Sequence, residues 1–176
     1  PRSSTMQRDL NMKVKFRESF RPFAPSVLAE YVSDWFEYEG SSPYMLMVAD
    51  VLKRHRRNMT QGEHALFGID QLNVPRSSVP AITHVDYSAR LQTVHAETNP
   101  VYHALLKEFM SITGVPMLVN TSFNVRGEPI ICTAKDAFRC FMGTDLDMLV
   151  VGDHILYKSH QDPALAQDYK HMFQLD

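Results

Sequence analysis

A helix that passes directly into a strand lies in the middle of the chain and limits the possible architectures. Asn99-Pro100 supplies a preferred N-cap residue and a proline at the first helical position, and Gly114 is a typical helix stop. The apolar residues between them recur at helical spacing and are predicted to form the buried face: Val101, Leu105, Phe109 and Ile112. Residues 115–119 then form a short apolar run, typical of a buried strand. Such a unit requires a sheet covered by helices.

Other segments alternate between helix and strand patterns. Thr133 to Asp136 resembles a capping box and opens a helix that ends at Gly143. Residues 148–157 read as a β-hairpin around Gly152-Asp153. Upstream, prolines exclude helix over residues 19–25, Pro25 is predicted to begin a helix, and residues 44–51 are predicted to be a buried strand. The predicted class is therefore α/β or α+β, with a mixed twisted sheet flanked by helices.

Three segments stand apart from this pattern. Residues 52–78 are polar and Pro-interrupted, and are predicted to be a mobile insertion loop. Two interpretations of their basic run, residues 53–57, stay open. It is either a solvated part of the loop, or it binds phosphates or a partner domain. Residues 1–14 read as a junction, and residues 159–176 as a polar tail, helical or disordered. The domain expected between these flanks covers residues 15–158.

Composition and motifs exclude several classes of function. The formal net charge of −2 argues against a dominant nucleic-acid-binding surface. No run reaches the length of a membrane span and no signal peptide opens the chain, so the cytoplasm is the expected location. There is no P-loop, no nucleophile elbow, no CxxC pair and no histidine spacing typical of metal ligands. We therefore expect no metal ligands in this chain.

The first segment that could carry chemistry runs from Lys13 to Phe23 and is rich in cations. If it is an extended strand, Lys15 and Arg17 point to one face, because side chains alternate along a strand. Followed by Arg21, they would form a positive site suited to a polyphosphate, with arginine offering a bidentate fork. The alternative is an exposed basic strand paired with Glu18.

The second segment, residues 120–129, directly follows the apolar run 115–119. Loops at strand ends in α/β sheets are the usual position for ligands. Ser122 and Asn124 can both donate to phosphate or carbonyl oxygens. The alternative is an ordinary polar turn held by its own side-chain hydrogen bonds.

Together these motifs resemble a known family. The KxR pattern at Lys15 and Arg17, with SxN at Ser122 and Asn124, resembles the signature of YrdC-type domains. The chain is more similar to the C-terminal half of nodulation-protein-type O-carbamoyltransferases, over roughly residues 1–158. The stretches that carry this resemblance stand in the same order: 1–2, 15–27, 42–45, 83–94 and 120–137.

The resemblance implies a YrdC-like fold and a mechanism. Such a domain forms carbamoyl-adenylate and pyrophosphate from carbamoyl phosphate and ATP with Mg²⁺. An N-terminal domain of actin-like ATPase fold, which holds the family's metal ion, then carbamoylates an acceptor hydroxyl. By this resemblance such a domain would be missing from the chain, which is therefore expected to bind ATP without transferring the carbamoyl group by itself.

The resemblance also assigns site residues. It places Lys15, Arg17, Ser122 and Asn124 in the adenylate site, where they are the expected catalytic residues. It adds further ATP-binding and substrate-binding candidates: Arg21, Arg90 and Asn120. The sequence departs from the family at Tyr87, where the family usually has glycine.

Two other functions stay open at this stage. A YrdC-like enzyme that makes threonylcarbamoyl-adenylate for tRNA modification would share the KxR and SxN motifs. The segments 20–25 and 86–94 favour the carbamoyltransferase over that enzyme. A nucleotide-binding module without catalysis would also share them.

Overall fold

The computed structural model describes residues 1–173. Contacts within the chain separate into two compact units. The first contains Pro1–Gln7 and Pro22–Thr121, and the second contains Arg8–Arg21 and the chain from Ser122 onward. No helix among the described residues is long and apolar enough to cross a membrane.

Short elements make up most of the chain. The strands are β1 Ala24–Leu28, β2 Met47–Asp50, β3 Ser88–Val94, β4 Met117–Asn120, β5 Met148–Val151 and β6 His154–Tyr157. The α-helices are α1 Met6–Asp9, α2 Val32–Trp35, α3 Gln61–His64, α4 Ile69–Leu72, α5 Pro100–Thr113 and α6 Ala134–Met142. A π-helical turn covers Leu10–Lys15. The 3-10 turns are Ala29–Tyr31, Lys53–His55, Pro80–Ile82, Lys158–His160, Pro163–Leu165 and Tyr169–His171.

The first unit is built on a four-stranded mixed sheet of order β2-β3-β1-β4. β1 runs parallel to β3 with Ser26 opposite Gln92, and antiparallel to β4 with Ser26 opposite Leu118. Every residue of β1 is buried, as expected of a strand with neighbours on both sides. The predicted mixed sheet flanked by helices is therefore confirmed.

The predicted helix start at Pro25 is wrong, because Pro25 lies inside β1. Its pairing with β3 begins only at Ser26, so its missing N–H falls outside that ladder. The helical segment starts after Leu28, as a 3-10 turn followed by α2. Burial of β1 between two strands outweighed the local preference of proline for a first helical turn.

The strand predicted over residues 44–51 is shorter than expected and only partly buried. Only Met47–Asp50 forms β2, which pairs with β3 alone and is an edge of the sheet. Tyr44 and Leu46 are each 80% exposed. A short apolar run cannot by itself distinguish an edge strand from a central one, which is why the prediction failed.

α5 has the predicted bounds, but its buried face differs from the predicted one. Asn99 accepts from Tyr102 N–H at the N-cap, and Gly114 ends the helix in the left-handed conformation with φ of 73°. Leu106 is fully buried and packs with Leu28 and Val94, whereas Val101 and Ile112 are mostly exposed. Two apolar rows lie side by side on α5, and contact with β1 and β3 selects the row containing Leu106.

The segment 52–78, predicted to be a mobile insertion loop, contains short helices and ion pairs. Its mobility stays a prediction. Arg56 donates to Asp50 Oδ2 at 2.9 Å and to Val51 O at 2.6 Å. Arg57 pairs with Glu63, and the guanidinium of buried Arg76 donates to three backbone carbonyls. Arg54, Arg56 and Arg57 of the basic run each meet a carboxylate.

The second unit contains α6 and the β5–β6 hairpin. Thr133 and Asp136 form the predicted capping box of α6. The hairpin pairs Val151 with His154 across the predicted turn. Its Leu149 packs with buried residues of α6. Of the tail, residues 159–173 are described as short turns, and residues 174–176 lie outside the described part.

Candidate anion-binding site

Lys15 and Arg17 do not lie on an extended strand, so that prediction is wrong. Lys15 ends the π-helical turn, and Phe16 follows in the left-handed region with φ of 50°. This bend, rather than strand alternation, sets the directions of the two side chains. Buried Asn11 supports it, since its Oδ1 accepts from Arg17 Nε at 2.6 Å and its Nδ2 donates to Arg21 O at 2.8 Å.

The second wall of the site is the loop of residues 122–128, called here the 122–128 loop. Its turn requires a left-handed residue, and Gly127 supplies it with φ of 77°. Asn124 Nδ2 donates to Glu128 O at 2.7 Å, and Val125 N–H donates to Glu128 Oε2 at 2.9 Å. The loop is thus closed by hydrogen bonds at both its side-chain and backbone groups.

The ammonium group of Lys15 joins the two walls. Its Nζ donates to Ser122 O at 2.7 Å, Asn124 O at 2.7 Å and Asn124 Oδ1 at 2.8 Å. Ser122 Oγ lies 3.3 Å from the same nitrogen. An ammonium has three protons, so these contacts use all of its donors. Lys15 is only 3% exposed. Lys15 is therefore tied to the loop by its hydrogen bonds and lies close to the other cations of the site.

A cavity of about 350 Å³ adjoins this contact, and four of its eight lining residues are cationic. The cavity is lined by Lys15, Arg17, Arg21, Ser122, Asn124, Val125, Arg126 and Gly127. Glu18 is the carboxylate at its rim, 3.2 Å from Arg21 Nε and 3.3 Å from Arg126 Nη1. Glu128, which closes the 122–128 loop, is a second carboxylate close to the site. Four cations against two carboxylates still leave a positive surplus suited to a multiply charged anion.

Burial and mutual repulsion lower the pKa values of these cations. Burial first, and Arg17 second, lower the pKa of Lys15 from 10.5 to about 8. Burial, and then Arg21, lower the pKa of Arg17, while Glu18 opposes that shift. An anion in the cavity would relieve the repulsion that the cations exert on one another.

Five of the seven residues assigned by sequence therefore line one cavity of the second unit: Lys15, Arg17, Arg21, Ser122 and Asn124. The other two, Arg90 and Asn120, belong to the first unit. Asn120 ends β4 and donates to Gln92 Oε1 at 2.6 Å. Arg90 lies on β3 and, with His84 and Phe23, borders a cavity of about 270 Å³. The catalytic and binding roles of all seven residues stay predictions.

The backbone of Tyr87 is left-handed, with φ of 68°, a conformation that glycine adopts without strain. Tyr87 tolerates that conformation in a turn that also holds Asp86 and Ser88. Its ring lies 5.2 Å from the Arg56 guanidinium, a cation–π contact that glycine could not make.

Three residues of the site were not predicted from the sequence. Arg126 lines the cavity, Asn11 holds the Arg17 segment, and Glu128 closes the 122–128 loop. Arg126 and Glu128 stand inside the second predicted segment and could have been proposed as loop residues. Nothing in the pattern around Asn11 distinguishes it from a surface residue, because its partners lie after a bend. Over residues 1–173, no group of three or more His, Cys, Asp or Glu side chains is arranged to hold a metal ion.

Comparisons with known proteins agree on one family. The profile described as "Carbamoyltransferase C-terminus" matches residues 1–158. The uncharacterized protein sll1178 of Synechocystis sp. is 58% identical over 100% of this chain and 29% of its own length. The nodulation protein NolNO of Sinorhizobium fredii is 40% identical over 93% of this chain and 22% of its own length. The 3'-hydroxymethylcephem-O-carbamoyltransferase of Streptomyces clavuligerus is 33% identical over 85% and 25% respectively. The chain thus spans less than a third of the length of these relatives.

Proposed function

Because the chain belongs to the carbamoyltransferase C-terminal family, we propose that it forms carbamoyl-adenylate from carbamoyl phosphate and ATP. The observation that carries the proposal is the cavity of about 350 Å³, which four cationic side chains line together with Ser122 and Asn124. Both substrates are phosphate anions, and adenylate formation needs alignment and charge stabilisation rather than a protein nucleophile.

The atoms of the reaction balance if carbamoyl phosphate is first cleaved by water. That step gives carbamate and inorganic phosphate. A carbamate oxygen then attacks the α-phosphorus of ATP, the α–β phosphoanhydride bond breaks, and pyrophosphate leaves. Negative charge builds up on the oxygens of the leaving pyrophosphate, so fixed cations beside them lower the barrier.

The proposal assigns each part of the cavity a task. The guanidinium groups of Arg17, Arg21 and Arg126 would bind phosphate oxygens, since arginine offers a planar fork of donors. Lys15 would hold the loop and add its charge, and Ser122 and Asn124 would complete the polar wall. Arg90 and Asn120 are retained as proposed ligand-binding residues of the first unit.

The proposal also includes Mg²⁺, held with ATP. Because no cluster of potential ligands occurs among residues 1–173, Mg²⁺ would be coordinated mainly by phosphate oxygens and water. Bound in this way, it would share the charge of the triphosphate. The carbamoyl group would pass to an acceptor hydroxyl in an N-terminal domain of the kind that the resemblance implies. The name of the Streptomyces clavuligerus relative supports a hydroxyl acceptor. We place the reaction in the cytoplasm.

The direct test is exchange of labelled pyrophosphate into ATP by the purified protein, with and without carbamoyl phosphate. We expect exchange that depends on carbamoyl phosphate, together with release of inorganic phosphate. Arg17→Ala should abolish most of it. The matched control is Arg8→Ala, which removes an exposed arginine of α1 that does not line the cavity.

Other outcomes of this assay would support the other functions. Exchange that requires threonine and bicarbonate, and ignores carbamoyl phosphate, would favour a threonylcarbamoyl-adenylate synthase. ATP binding without any exchange would favour a nucleotide-binding module without catalysis. Either result would contradict the proposed reaction.

A further inference from the structure

Tyr169 lies beyond the region that matches the family profile, in the tail predicted to be only polar. It is nevertheless 2% exposed. It belongs to one apolar cluster with Val125 and Cys140, against which Phe16 and Phe123 also pack. Phe16 stands between Lys15 and Arg17, and Phe123 stands between Ser122 and Asn124. The tail therefore packs beneath both walls of the cavity.

The phenol of Tyr169 is also connected to the loop by hydrogen bonds. It donates to Glu128 Oε1, and the second carboxylate oxygen of Glu128 accepts from Val125 N–H at 2.9 Å. Glu128 O accepts from Asn124 Nδ2 at 2.7 Å. Asn124 Oδ1 in turn accepts from Lys15 Nζ at 2.8 Å. A continuous series of contacts leads from the tail to the ammonium group.

We propose that Tyr169 is a positioning residue of the anion site, which holds Glu128 and through it the 122–128 loop. The inference rests on the proposed function only for what binds in the cavity. The site then extends past residue 158, and the C-terminal segment is a working part of it. When the buried phenol fixes one carboxylate oxygen of Glu128, the orientation of the second oxygen is fixed as well. This second oxygen accepts from Val125 N–H.

The geometry explains why a tyrosine is needed rather than another aromatic residue. Phenylalanine would keep the ring in the cluster and lose only the donor to Glu128. Hydrogen bonds to charged groups are among the stronger ones, and a carboxylate left without its buried donor would turn to find another. The loop would then lose the fixed acceptor of Val125 N–H.

The test compares Tyr169→Phe with Tyr157→Phe, which removes the hydroxyl of an exposed tyrosine on β6. The probes are ATP and inorganic triphosphate, titrated by calorimetry. We expect Tyr169→Phe to weaken binding of both by about three- to tenfold, and Tyr157→Phe to change it less than about twofold. Affinity within about twofold of the parent protein for Tyr169→Phe would overturn the proposal.

Two further measurements separate positioning from simple loss of structure. In a Glu128→Gln background, Tyr169→Phe should have little additional effect, because Tyr169 acts through that carboxylate. The NMR titration of the Lys15 ε-carbon should move to higher pH in Tyr169→Phe, since a looser loop admits water. An unchanged loss in the Glu128→Gln background would overturn the proposal. So would an affinity loss that follows only the unfolded fraction in a thermal melt.

Failure of the proposed function would look different. If the parent protein binds triphosphate but shows no exchange with carbamoyl phosphate, the reaction is wrong and the positioning role stands. If it binds no triphosphate, the proposed function fails, and the Lys15 titration still decides the role of Tyr169.

Discussion

The buried ammonium of Lys15 makes the stability of the protein depend on pH in a defined direction. Burial lowers the pKa of Lys15 from 10.5 to about 8. Below the lower value, both the folded and the unfolded chain carry the charge. Between the two values, the unfolded chain binds more protons, so the free energy of unfolding rises with pH. The rise is complete above the unfolded pKa.

The magnitude follows from the size of the pKa shift. At about 1.4 kcal/mol per pH unit, lowering the pKa from 10.5 to about 8 corresponds to about 3 kcal/mol. Lys15 is 3% exposed, so solvent screens this contribution little. Burial is the largest cause, Arg17 adds to it, and Glu128 and Cys140 oppose it. Cys140 also titrates in this range in the unfolded chain, where its pKa is about 9.0, whereas burial raises its pKa to about 12 in the folded chain.

The assay must therefore isolate Lys15 from other groups. Urea unfolding is measured from about pH 7 to about pH 11 for the parent protein and for Lys15→Met. The difference between their free energies of unfolding should rise by about 3 kcal/mol in favour of the parent over this range. Lys13→Met, which removes an exposed lysine of the same π-helical turn, is the matched control. A difference that stays flat or falls with pH would refute the reasoning.

The remaining predictions concern binding and packing. Arg17→Ala should weaken ATP binding by about 1.5–3 kcal/mol in calorimetry. Arg17→Lys should restore only part of this affinity, because a point charge cannot replace a planar fork. Full restoration by lysine would contradict a bidentate contact between Arg17 and the phosphate. Ser122→Ala should cost less, about 0.5–1.5 kcal/mol, since it removes a neutral hydroxyl, and a larger loss than in Arg17→Ala would reverse that order. Gly143→Ala should destabilise the fold by about 1–3 kcal/mol in a thermal melt, because overpacking has a cost of that order. A Cβ at Gly143 would lie 2.3 Å from Tyr169 Cβ. Gly62→Ala is the control for it, since nothing lies within 4 Å of that Cβ, and equal melting temperatures would contradict the packing argument.

Local signals in the sequence predicted the elements whose structure is determined locally. The N-cap of α5, the capping box of α6 and the turn of the β5–β6 hairpin each depend on residues a few positions apart, and all three are confirmed. The position of β1 could not be predicted in this way. Pro25 suggests a helix locally, and only its neighbours β3 and β4, distant in sequence, make it part of a buried strand.

The site shows the same division between local and distant determinants. The residue types and the spacing of KxR and SxN indicated an anion site, and five of the assigned residues do line one cavity. The extended strand proposed to explain that spacing is wrong, since Phe16 adopts a left-handed conformation between the two cations. The spacing in the sequence identified Lys15 and Arg17 as a pair, but it could not predict the backbone conformation between them.

The left-handed residue between Lys15 and Arg17 gives the two cations different tasks. On a strand, both side chains would face the ligand and repel each other at similar depth. With the bend at Phe16, Lys15 is buried and its donors are used by the 122–128 loop, while Arg17 is held at Nε by Asn11 and lines the cavity. Lys15 thus holds the loop, and Arg17 faces the cavity. A lysine suits the first task, because its three donors converge on a cluster of carbonyl oxygens, and an arginine suits the second, because its fork matches phosphate oxygens. Exchanging the two residues should therefore fail at both positions, even though the net charge of the site would be unchanged.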